Sequence, residues 1–415
     1  MKDLKIKFRW ETEFKETEIG EIPREWERSE IDSFMAIKSG KRPKEIKVYG
    51  FYEVWGANGF MGYTDATDYL ENREVLITGR VGTLGNVYYI KKNSNVWLSD
   101  NVLILYPNDQ GINLKFVFYH LLTRKEDIIS LDVGSTQPLI TQNGLKNLII
   151  PLPPPPEQSR IATVLSWFDD LIEVKKRQNE ILEKTAMAIF KSWFIDFEPF
   201  RDGEFVYSEE LGKEIPKGWE VKKLGEVVKI ESGGIAPQKE EYFIGGKNPF
   251  VRVKHLTNYP CVEEADFIND EAVKQYNLKL YNEGSIIFQR SGESLSFGRV
   301  NILPFNAYIV NHLAVIPNLP SNKLLMEFLF FILKNILIEL IEERSGTALP
   351  YIKISDIEKK EILLPPSPIL QSFHSLVEPL FQKIILNQKQ IMTLRKIRDT
   401  LLPLLVFGKL RVEEV

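Results

Sequence analysis

IGEIPREWE, at residues 19–27, returns later in the chain as GKEIPKGWE, at residues 212–220. Both copies keep an isoleucine–proline pair and, three residues after the proline, a tryptophan, which is Trp26 in one copy and Trp219 in the other. Each copy is followed by an apolar, strand-like stretch that ends at a glycine. Self-similarity over a long period is typical of a repeated structural unit. We expect both tryptophans to anchor a hydrophobic core.

Further matches follow in the same order in the two halves of the chain. Residues 75–90 match 285–303, residues 97–107 match 308–317, and residues 134–156 match 345–368, which pairs Pro138 with Pro350. A constant order of matches indicates a tandem duplication.

Each half has the same predicted layout. Short β-rich runs such as EVLITGRV and NVLILYP are bounded by Gly, Asn and Pro, which is typical of strands and turns. An apolar helical stretch follows, at residues 114–122 and at 324–341. A proline cluster then closes each globular part, because consecutive prolines cannot continue a helix or a central strand.

After each proline cluster the apolar residues recur at helical spacing, from Glu157 to Phe197 and from about Ile369 to Leu410. Both stripes have a polar gap near the middle, which in a helical pair commonly fixes the register. A helix of roughly 40 residues is about 60 Å long. We expect the two helices to pack antiparallel with a globular unit at each end; the alternative is that each folds back on its own domain. Pro379 predicts that the second helix kinks or begins near it.

The predicted fold class is therefore α+β. Two similar strand-rich domains are separated by two long antiparallel, coiled-coil-like helices in a pseudo-two-fold tandem repeat. The predicted boundaries are an N-terminal arm at 1–18, a first domain at 19–156, a central helix at 157–200, a second domain at 201–368 and a C-terminal helix at 369–415.

Composition limits the classes of protein that fit. Hydrophobic residues make up 44% and charged residues 27% of the chain, which is typical of a soluble globular protein. The lone Cys261 fits a reducing compartment, and no apolar run has the length of a membrane span or signal peptide, so we expect a cytoplasmic protein. The net charge of −4 argues against DNA binding, but residues 38–47 hold five basic side chains against one acid. Local charge on the facing surface matters more than the total.

Several kinds of chemistry are missing from the sequence. It has no phosphate-binding loop, no glycine-rich dinucleotide motif, and no NPPY-like tetrapeptide of an amino-methyltransferase. The four histidines are scattered singly and lack the spacing of a zinc site. We therefore expect no catalytic centre, cofactor or metal in this chain.

The duplicated layout resembles the specificity subunit of type I restriction-modification enzymes. The motifs that carry the resemblance are IPREW and IPKGW, GRVG and RSGE, GSTQP and GTALP, PLPPPPEQ, and the C-terminal LLPLLVFGKLRV. PPSPILQ departs from the PPPPEQ form. The resemblance implies a non-catalytic subunit in which each domain is a target-recognition domain that reads one half of a split double-stranded DNA site. It also implies helices that act as spacer and dock two methyltransferase subunits, which hold S-adenosylmethionine, and a restriction subunit, which uses ATP and Mg²⁺.

Candidate DNA-binding residues lie in the glycine turns and basic tracts. Arginine is the commonest reader of guanine, and glycine lets a backbone approach a groove, so we single out the two turn arginines. The alternative for them is an ion-paired or turn-holding role, and the GSTQP side chains could equally cap a turn. The candidates are Lys38, Lys41, Arg42, Lys44, Arg80, Thr136, Gln137, Lys239, Arg252, Lys254, Arg290 and Ser291.

Two other functions compete with DNA recognition. A two-headed protein-interaction scaffold without nucleic-acid binding fits the negative net charge and the acidic pI of about 5.9. A solitary endonuclease or methyltransferase fits less well, because its motifs are missing. The two halves also differ where contacts should occur, GKRPKE against GGIAPQKE, so the predicted DNA target is asymmetric and bipartite.

Overall fold

The structure is a computed structural model that describes residues 6–108, 111–292, 295, 297–343 and 351–414. The chain divides into two compact units: residues 1–170 with 395–415 form the first, and residues 171–394 form the second. The GTALP motif at 346–350, with Pro350, lies outside the described residues, as does Glu293 of the RSGE turn.

Among the described residues, twelve strands and three short α-helices precede the central helix. The strands are β1 (Ile6–Trp10), β2 (Phe14–Thr17), β3 (Gly20–Pro23), β4 (Glu27–Glu30), β5 (Met35–Ser39), β6 (Tyr52–Gly56), β7 (Gly59–Thr64), β8 (Val75–Gly79), β9 (Val87–Ile90), β10 (Trp97–Leu98), β11 (Val102–Pro107) and β12 (Ile149–Leu152). The helices are α1 (Leu114–Leu122), α2 (Lys125–Ser130) and α3 (Gln142–Lys146).

The rest of the chain holds the two long helices and the second set of strands. The helices are α4 (Pro155–Phe194), α5 (Leu224–Val227), α6 (Asp270–Gln275), α7 (Met326–Glu343), α8 (Ile354–Glu358) and α9 (Ser367–Val406). The strands are β13 (Phe205–Ser208), β14 (Lys213–Pro216), β15 (Glu220–Lys223), β16 (Glu231–Ser232), β17 (Asn248–Val251), β18 (Asp266–Ile268), β19 (Leu280–Tyr281), β20 (Ile286–Gln289), β21 (Val300–Ile302), β22 (Ala307–Ile309), β23 (Leu313–Ile316) and β25 (Leu410–Glu414), with β24 (Glu361–Leu364) before α9.

The two units have the same sheet topology, which confirms the tandem repeat. The sheet β5-β11-β8-β9 of the first unit corresponds to β16-β23-β20-β21 of the second, and both are antiparallel throughout. The two-stranded pairs β2–β3 and β4–β12 correspond to β13–β14 and β15–β24. A further small sheet in each unit contains one parallel pair, β6–β10 and β17–β22.

Alternation along the strands explains how each sheet buries both of its faces. In the first unit, Leu76 and Leu103 belong to the core that includes α1 and the start of α4, whereas Val75 and Ile77 belong to a second cluster on the other side. Trp26 is fully buried in the core of the first unit. Trp219 is likewise buried in the core of the second, so both expected core anchors are confirmed.

The long helices pack antiparallel within each unit, as expected. In the second unit, Lys175 Nζ lies 2.6 Å from Gln390 Oε1, while Asn387 Nδ2 lies 2.9 Å from Asn179 Oδ1, so the numbering rises on α4 as it falls on α9. Asn179 and Asn387 are buried, and they form the polar contact that the gap in both stripes predicts. In the first unit, Arg398 of α9 forms an ion pair with Asp169 of α4, which agrees with the same antiparallel pairing.

Three predictions about element ends are wrong. The second helix begins at Ser367 rather than near Pro379, which lies on its exposed face, whereas a kink at Pro379 stays a prediction. Residues 6–10 of the predicted arm form β1, which pairs with β25 at residues 410–414, where a helix was predicted. Gly408 ends α9 with a φ of +69°, a left-handed conformation that favours glycine, and the chain then turns into β25.

None of the helices in the described ranges is long and apolar enough to span a membrane.

Candidate nucleic-acid interface

The basic tract of the first unit starts on β5 and continues into the loop that follows. Lys38 is exposed on β5 with its Nζ 5.7 Å from the centre of the Tyr106 ring. Lys41 Nζ lies 3.3 Å and Lys44 Nζ 4.0 Å from the same carboxylate oxygen of Asp68. Arg42 is exposed and forms no ion pair with any residue that the structure describes. The positive charge of the tract is thus partly neutralised by Asp68, but Lys38 and Arg42 have no carboxylate partner in the described ranges.

Arg80 lies at the end of β8, in a turn that the GSTQP loop closes from the other side. Its main-chain N–H donates to Asn101 O at 2.8 Å, and its main-chain oxygen accepts from Ile140 N at 2.8 Å. Gly82 N donates to Pro138 O at 3.1 Å. The side chain of Arg80 makes one long bond, 3.4 Å, to the main-chain oxygen of Asp100. The side chain is therefore only lightly held.

Thr136 and Gln137 lie in the loop that contacts the Arg80 turn. Both side chains are exposed, and no hydrogen-bond partner for either occurs in the described ranges. The capping bonds of this loop come instead from Asp132, whose Oδ1 accepts from Gly134 N and Leu139 N, each at 2.8 Å. The alternative that Thr136 or Gln137 caps the turn is not what the structure has. Half-buried Arg80 and exposed Thr136 and Gln137 form one polar group, called here the first turn group.

The second unit builds the same turn but holds its arginine firmly. Arg290 N donates to His312 O at 3.2 Å, and Arg290 O accepts from Ile352 N at 2.8 Å. Its guanidinium donates to Asn311 O at 2.9 Å, to Ser232 Oγ at 3.0 Å and to Tyr351 Oη at 2.9 Å. These bonds fit the turn-holding role that was the alternative to base contact, and base contact by Arg290 stays a prediction. A base contact would require some of these bonds to break.

Ser291, the residue after that arginine, is also engaged. Its Oγ lies 2.7 Å from Nδ1 of His312.

Three further candidates of the second unit are ion-paired. Arg252 Nε lies 2.5 Å and Lys254 Nζ 2.8 Å from the carboxylate of Asp266, and Lys239 Nζ lies 3.2 Å from Glu241. Burial acts to raise the pKa of the Asp266 carboxyl. The hydrogen bonds from Lys254 and Arg252 act in the opposite direction and outweigh burial, so the pKa lies below its ordinary value. Because Asp266 and Glu241 neutralise these three basic side chains, the local positive charge around them in the second unit is smaller than the three residues alone suggest.

Comparison with known proteins places the chain in a family. A family model described as the type I restriction modification DNA specificity domain matches residues 23–184 and again residues 216–396. The chain is 49% identical over 433 residues to the type I restriction enzyme MjaIX specificity subunit of Methanocaldococcus jannaschii, with 99% of each chain covered. The chain belongs to the family of type I restriction enzyme specificity subunits.

Other comparisons agree with the family. The putative type I restriction enzyme MjaX specificity subunit of the same organism is 29% identical over 438 residues, which cover 98% of this chain and 99% of that one. A crystal structure of a type I restriction-modification system S subunit from M. genitalium matches with a TM-score of 0.53 at 25% identity, covering 92% of this chain and 96% of that one. The resemblance inferred from the repeats is confirmed, and so is the two-domain α+β fold. The relatives are named specificity subunits, which agrees with the expectation of a non-catalytic subunit.

The specificity subunit also exposes aromatic side chains that sequence reasoning missed. Tyr49 and Phe51 lie directly after the basic tract, and Phe60 lies on β7; all three are exposed. In the sequence, the stretch KVYGFY has the pattern of the start of a buried strand, so the sequence does not predict that these side chains are exposed. Only the aromatic residues within a run of lysines could have indicated a nucleic-acid surface.

Two buried ionisable groups of the specificity subunit, His120 and Cys261, are poor candidates for chemistry. Burial lowers the pKa of His120 to about 3 and raises the pKa of the Cys261 thiol, so both stay neutral near pH 7. Within the described ranges, no group of three or more His, Cys, Asp or Glu side chains is arranged to hold a metal ion.

Proposed function

We propose that this specificity subunit reads an asymmetric, bipartite site in double-stranded DNA, one domain per half-site, in a complex with methyltransferase and restriction subunits. One observation carries the proposal: the same turn occurs in both units but presents different side chains. In the first unit it presents a lightly held Arg80, and in the second it holds Arg290 with three neighbours. Two domains of one topology with different contact surfaces suit two different half-sites.

The first turn group suits direct contact with a groove. A Cβ built on Gly82 would meet nothing within 4 Å, so the tip of the turn is open, and Gly82 has a φ of +85°. Arg80 can approach base edges from such a tip, and Thr136 and Gln137 can donate or accept beside it. Lys38 and Arg42 have no carboxylate partner in the described ranges and suit contacts with phosphates.

The first prediction separates base contacts from phosphate contacts in the complex with methyltransferase subunits. Arg80→Ala is expected to weaken binding by about 1–3 kcal/mol and to relax preference at one half-site, because a bidentate base contact is lost. Arg42→Ala is expected to weaken all duplexes alike and to reduce the slope of log affinity against log salt by about 1. Fluorescence anisotropy over a salt series measures both.

The matched control is Arg28→Ala, which removes an exposed arginine of β4 that is paired with Glu18. It should leave affinity and preference unchanged. If the complex with methyltransferase subunits binds no duplex at any salt concentration, the chain is the two-headed interaction scaffold and the proposed function is wrong.

Docking of methyltransferase subunits has its own candidate surface, an exposed apolar stripe on α4. Its members recur at steps of three and four and so share one helix face. In the second unit they are the apolar Leu171, Val174 and Ile181 together with the polar Gln178 and Thr185, called here the outer stripe. The opposite face of α4 carries buried residues such as Ile172 and Phe190. A helix that buries one face and exposes apolar side chains on the other suits a partner protein.

The C-terminal helix has an exposed face at the same spacing that is more polar. In the second unit its residues are the apolar Pro379 and Leu386 together with Lys383, Gln390 and Thr393. Each long helix therefore has an exposed face with some apolar side chains, and we assign one methyltransferase subunit to each.

The second prediction tests the outer stripe. Val174→Lys is expected to weaken binding of the methyltransferase subunit about ten-fold or more, since a charge placed in an apolar contact must be desolvated. The matched control, Glu173→Lys, adds a lysine one residue away on a different face and should bind normally. Sedimentation velocity of the mixed subunits measures the complex, and an unchanged melting temperature shows that the fold is intact. Equal binding by both variants would exclude this face.

The cofactors follow from the division of labour in the proposed complex. We propose that S-adenosylmethionine is held by the methyltransferase subunits, and ATP and Mg²⁺ by the restriction subunits, with none in this chain. A cytoplasmic location is part of the same proposal, because the substrate is cellular DNA.

A further inference from the structure

An exposed aromatic segment follows the basic tract of the first unit. It runs from Ile46 to Phe51 and is called here the wedge segment. Val48 is 77% exposed, Tyr49 84% and Phe51 87%, which are the three largest exposed fractions among the large hydrophobic side chains of the described residues. Exposed apolar groups of this size that are close together usually mark a contact surface.

The backbone holds the wedge segment in place while its side chains point into solvent. Lys47 N donates to Tyr63 O at 2.8 Å, and Tyr63 N donates to Lys47 O at 2.9 Å, which joins the segment to β7. Asp65 accepts from Phe51 N at 3.1 Å and from Lys47 Nζ at 2.8 Å. These bonds fix both ends, so the exposed aromatic rings are presented by an ordered turn.

Close packing beneath the turn adds to this order. A Cβ built on Gly50 would lie 2.8 Å from the Cβ of Tyr63, so the turn lies directly on β7 and any side chain at this position would clash. The residue is a glycine because the backbone must approach that closely. The tip cannot fold inward to bury its own aromatic rings without breaking these contacts.

The charges around the wedge segment favour a polyanion as its occupant. The basic side chains of the adjoining tract are Lys38, Lys41, Arg42, Lys44 and Lys47, and the carboxylates paired with them are Glu45, Asp65 and Asp68. The excess is therefore positive in a chain whose net charge is −4. A purely apolar protein groove would gain nothing from this excess, whereas DNA phosphates would.

We propose that Tyr49 and Phe51 act as a wedge that inserts at a base step of the first half-site and unstacks it while the adjoining basic side chains hold the phosphates. Apolar wedges beside cationic side chains distort duplexes in this way. The inference rests on the proposed function, since it requires that the chain bind DNA. It adds a distortion of the duplex that direct base contacts by the first turn group would not need.

The segment that precedes β17 in the second unit, which the structure describes throughout, has no equivalent aromatic pair. Tyr242 is buried there and its hydroxyl bonds to Gln275, and the strongly exposed large apolar residues are Ile235 and Ile244. The proposed distortion therefore belongs to one half-site, which adds to the asymmetry of the target.

The test uses the full chain with its methyltransferase subunits and a target duplex carrying 2-aminopurine at successive positions of the first half-site. Binding of the wild-type complex should raise the fluorescence at one step, because unstacked 2-aminopurine is brighter. The double variant Tyr49→Ala/Phe51→Ala should not show this rise in fluorescence. Its affinity for the duplex should also be about ten-fold lower, since base–aromatic stacking contributes roughly 1–3 kcal/mol per base. Its salt slope should stay unchanged because no charge is removed.

Three further variants make the result specific. Tyr49→Phe/Phe51→Tyr keeps both rings and should restore the fluorescence rise. Tyr207→Ala removes an exposed tyrosine of β13 in the second unit and should have no effect. Arg42→Ala should reduce the slope of log affinity against log salt, and the duplex that this variant binds should still show the rise in 2-aminopurine fluorescence.

The outcomes distinguish the wedge from the function on which it rests. A double variant that binds the duplex with the same affinity and the same fluorescence rise overturns the wedge and leaves DNA recognition standing. A double variant that fails to bind the methyltransferase or restriction subunit, yet distorts DNA normally, also overturns it and makes the segment a protein contact. A wild-type complex that binds no duplex overturns the proposed function itself.

Discussion

Arg411→Met is expected to lower the free energy of unfolding of the first unit by about 3–5 kcal/mol at pH 7. Arg411 is 6% exposed on β25. Its Nε lies 2.5 Å from Glu157 Oε1, and its other nitrogens bond Glu11 and Glu25. Without the guanidinium, the buried Glu157 would be left with no cation beside it in the described ranges, and Glu11 would keep only Arg9, whose guanidinium lies 3.5 Å away. A single buried charge without its partner is among the most destabilising changes in a protein.

The position of this ion cluster explains why the effect should spread through the unit. Glu157 lies in the first turn of α4 and accepts from Trp26 Nε1 at 3.1 Å, so it joins the helix to the core. Arg411 adds β25 to the same carboxylate, and Glu11 adds the chain after β1. The cluster thus ties both ends of the chain to the start of the central helix.

The pH dependence has a definite sign. Burial acts to raise the pKa of Glu11, but the N–H groups of Glu13 and Thr12 together with Arg411 lower it to about 2, from an ordinary 4.5. A lowered carboxyl pKa contributes stability that is present above the ordinary pKa and lost as the pH falls towards the folded one. Arg411→Met removes part of that contribution. The difference between wild type and variant should therefore shrink as the pH falls below about 4.5.

Hydrogen exchange of first-unit peptides over a pH series measures this prediction. The control is Arg9→Met, which breaks an exposed pair with Glu413 on the neighbouring strand and a longer contact of 3.5 Å with Glu11, but leaves Arg411 in place, and should cost less than about 1 kcal/mol. Adding Glu157→Gln to Arg411→Met should recover part of the loss, since it removes one of the stranded charges. Equal costs for Arg411→Met and Arg9→Met would contradict a role for the buried cluster.

The sequence predicts the repeated architecture because each repeat carries local marks of its own. Prolines close each domain, and apolar spacing reveals each long helix. The pairing of β1 with β25 joins residues at opposite ends of the chain, so no local pattern can indicate it. Pro379 misleads for a local reason: Ser375 and Pro379 are both exposed, so water can satisfy the carbonyl that proline leaves unpaired.

The candidate interface is harder to predict, because its charge depends on which carboxylates pair with the basic side chains in the folded protein. Basic residues can be counted in a sequence, but their carboxylates are distant in the chain: Asp68 lies 27 residues after Lys41, and Asp266 lies 14 after Arg252. The two turn arginines look alike in sequence, yet only Arg290 is held by a serine and a tyrosine from elsewhere in the fold. Exposure of Tyr49 and Phe51 likewise depends on how the turn lies on β7.

Phe373→Ala is expected to cost the second unit about 3–5 kcal/mol of unfolding free energy. Phe373 of α9 is fully buried, and its ring centre lies 4.8 Å from that of Phe194 and 6.0 Å from that of Trp193, both near the end of α4. Truncation would leave a cavity between the end of α4 and the start of α9, and would remove an edge-to-face contact with Phe194 and a tilted contact with Trp193.

Tryptophan fluorescence reports on this site directly, because Trp193 and Trp219 lie in the same aromatic cluster. Denaturant titration of wild type, Phe373→Ala and the control Leu376→Ala should separate packing from helix propensity. Leu376 is exposed on the same helix, so its truncation should cost less than about 1 kcal/mol. Similar midpoints for the two variants would mean that the ring cluster does not stabilise the helix pair. A loss confined to Phe373→Ala would show that the pair is held by aromatic packing rather than by the two helices' own propensity.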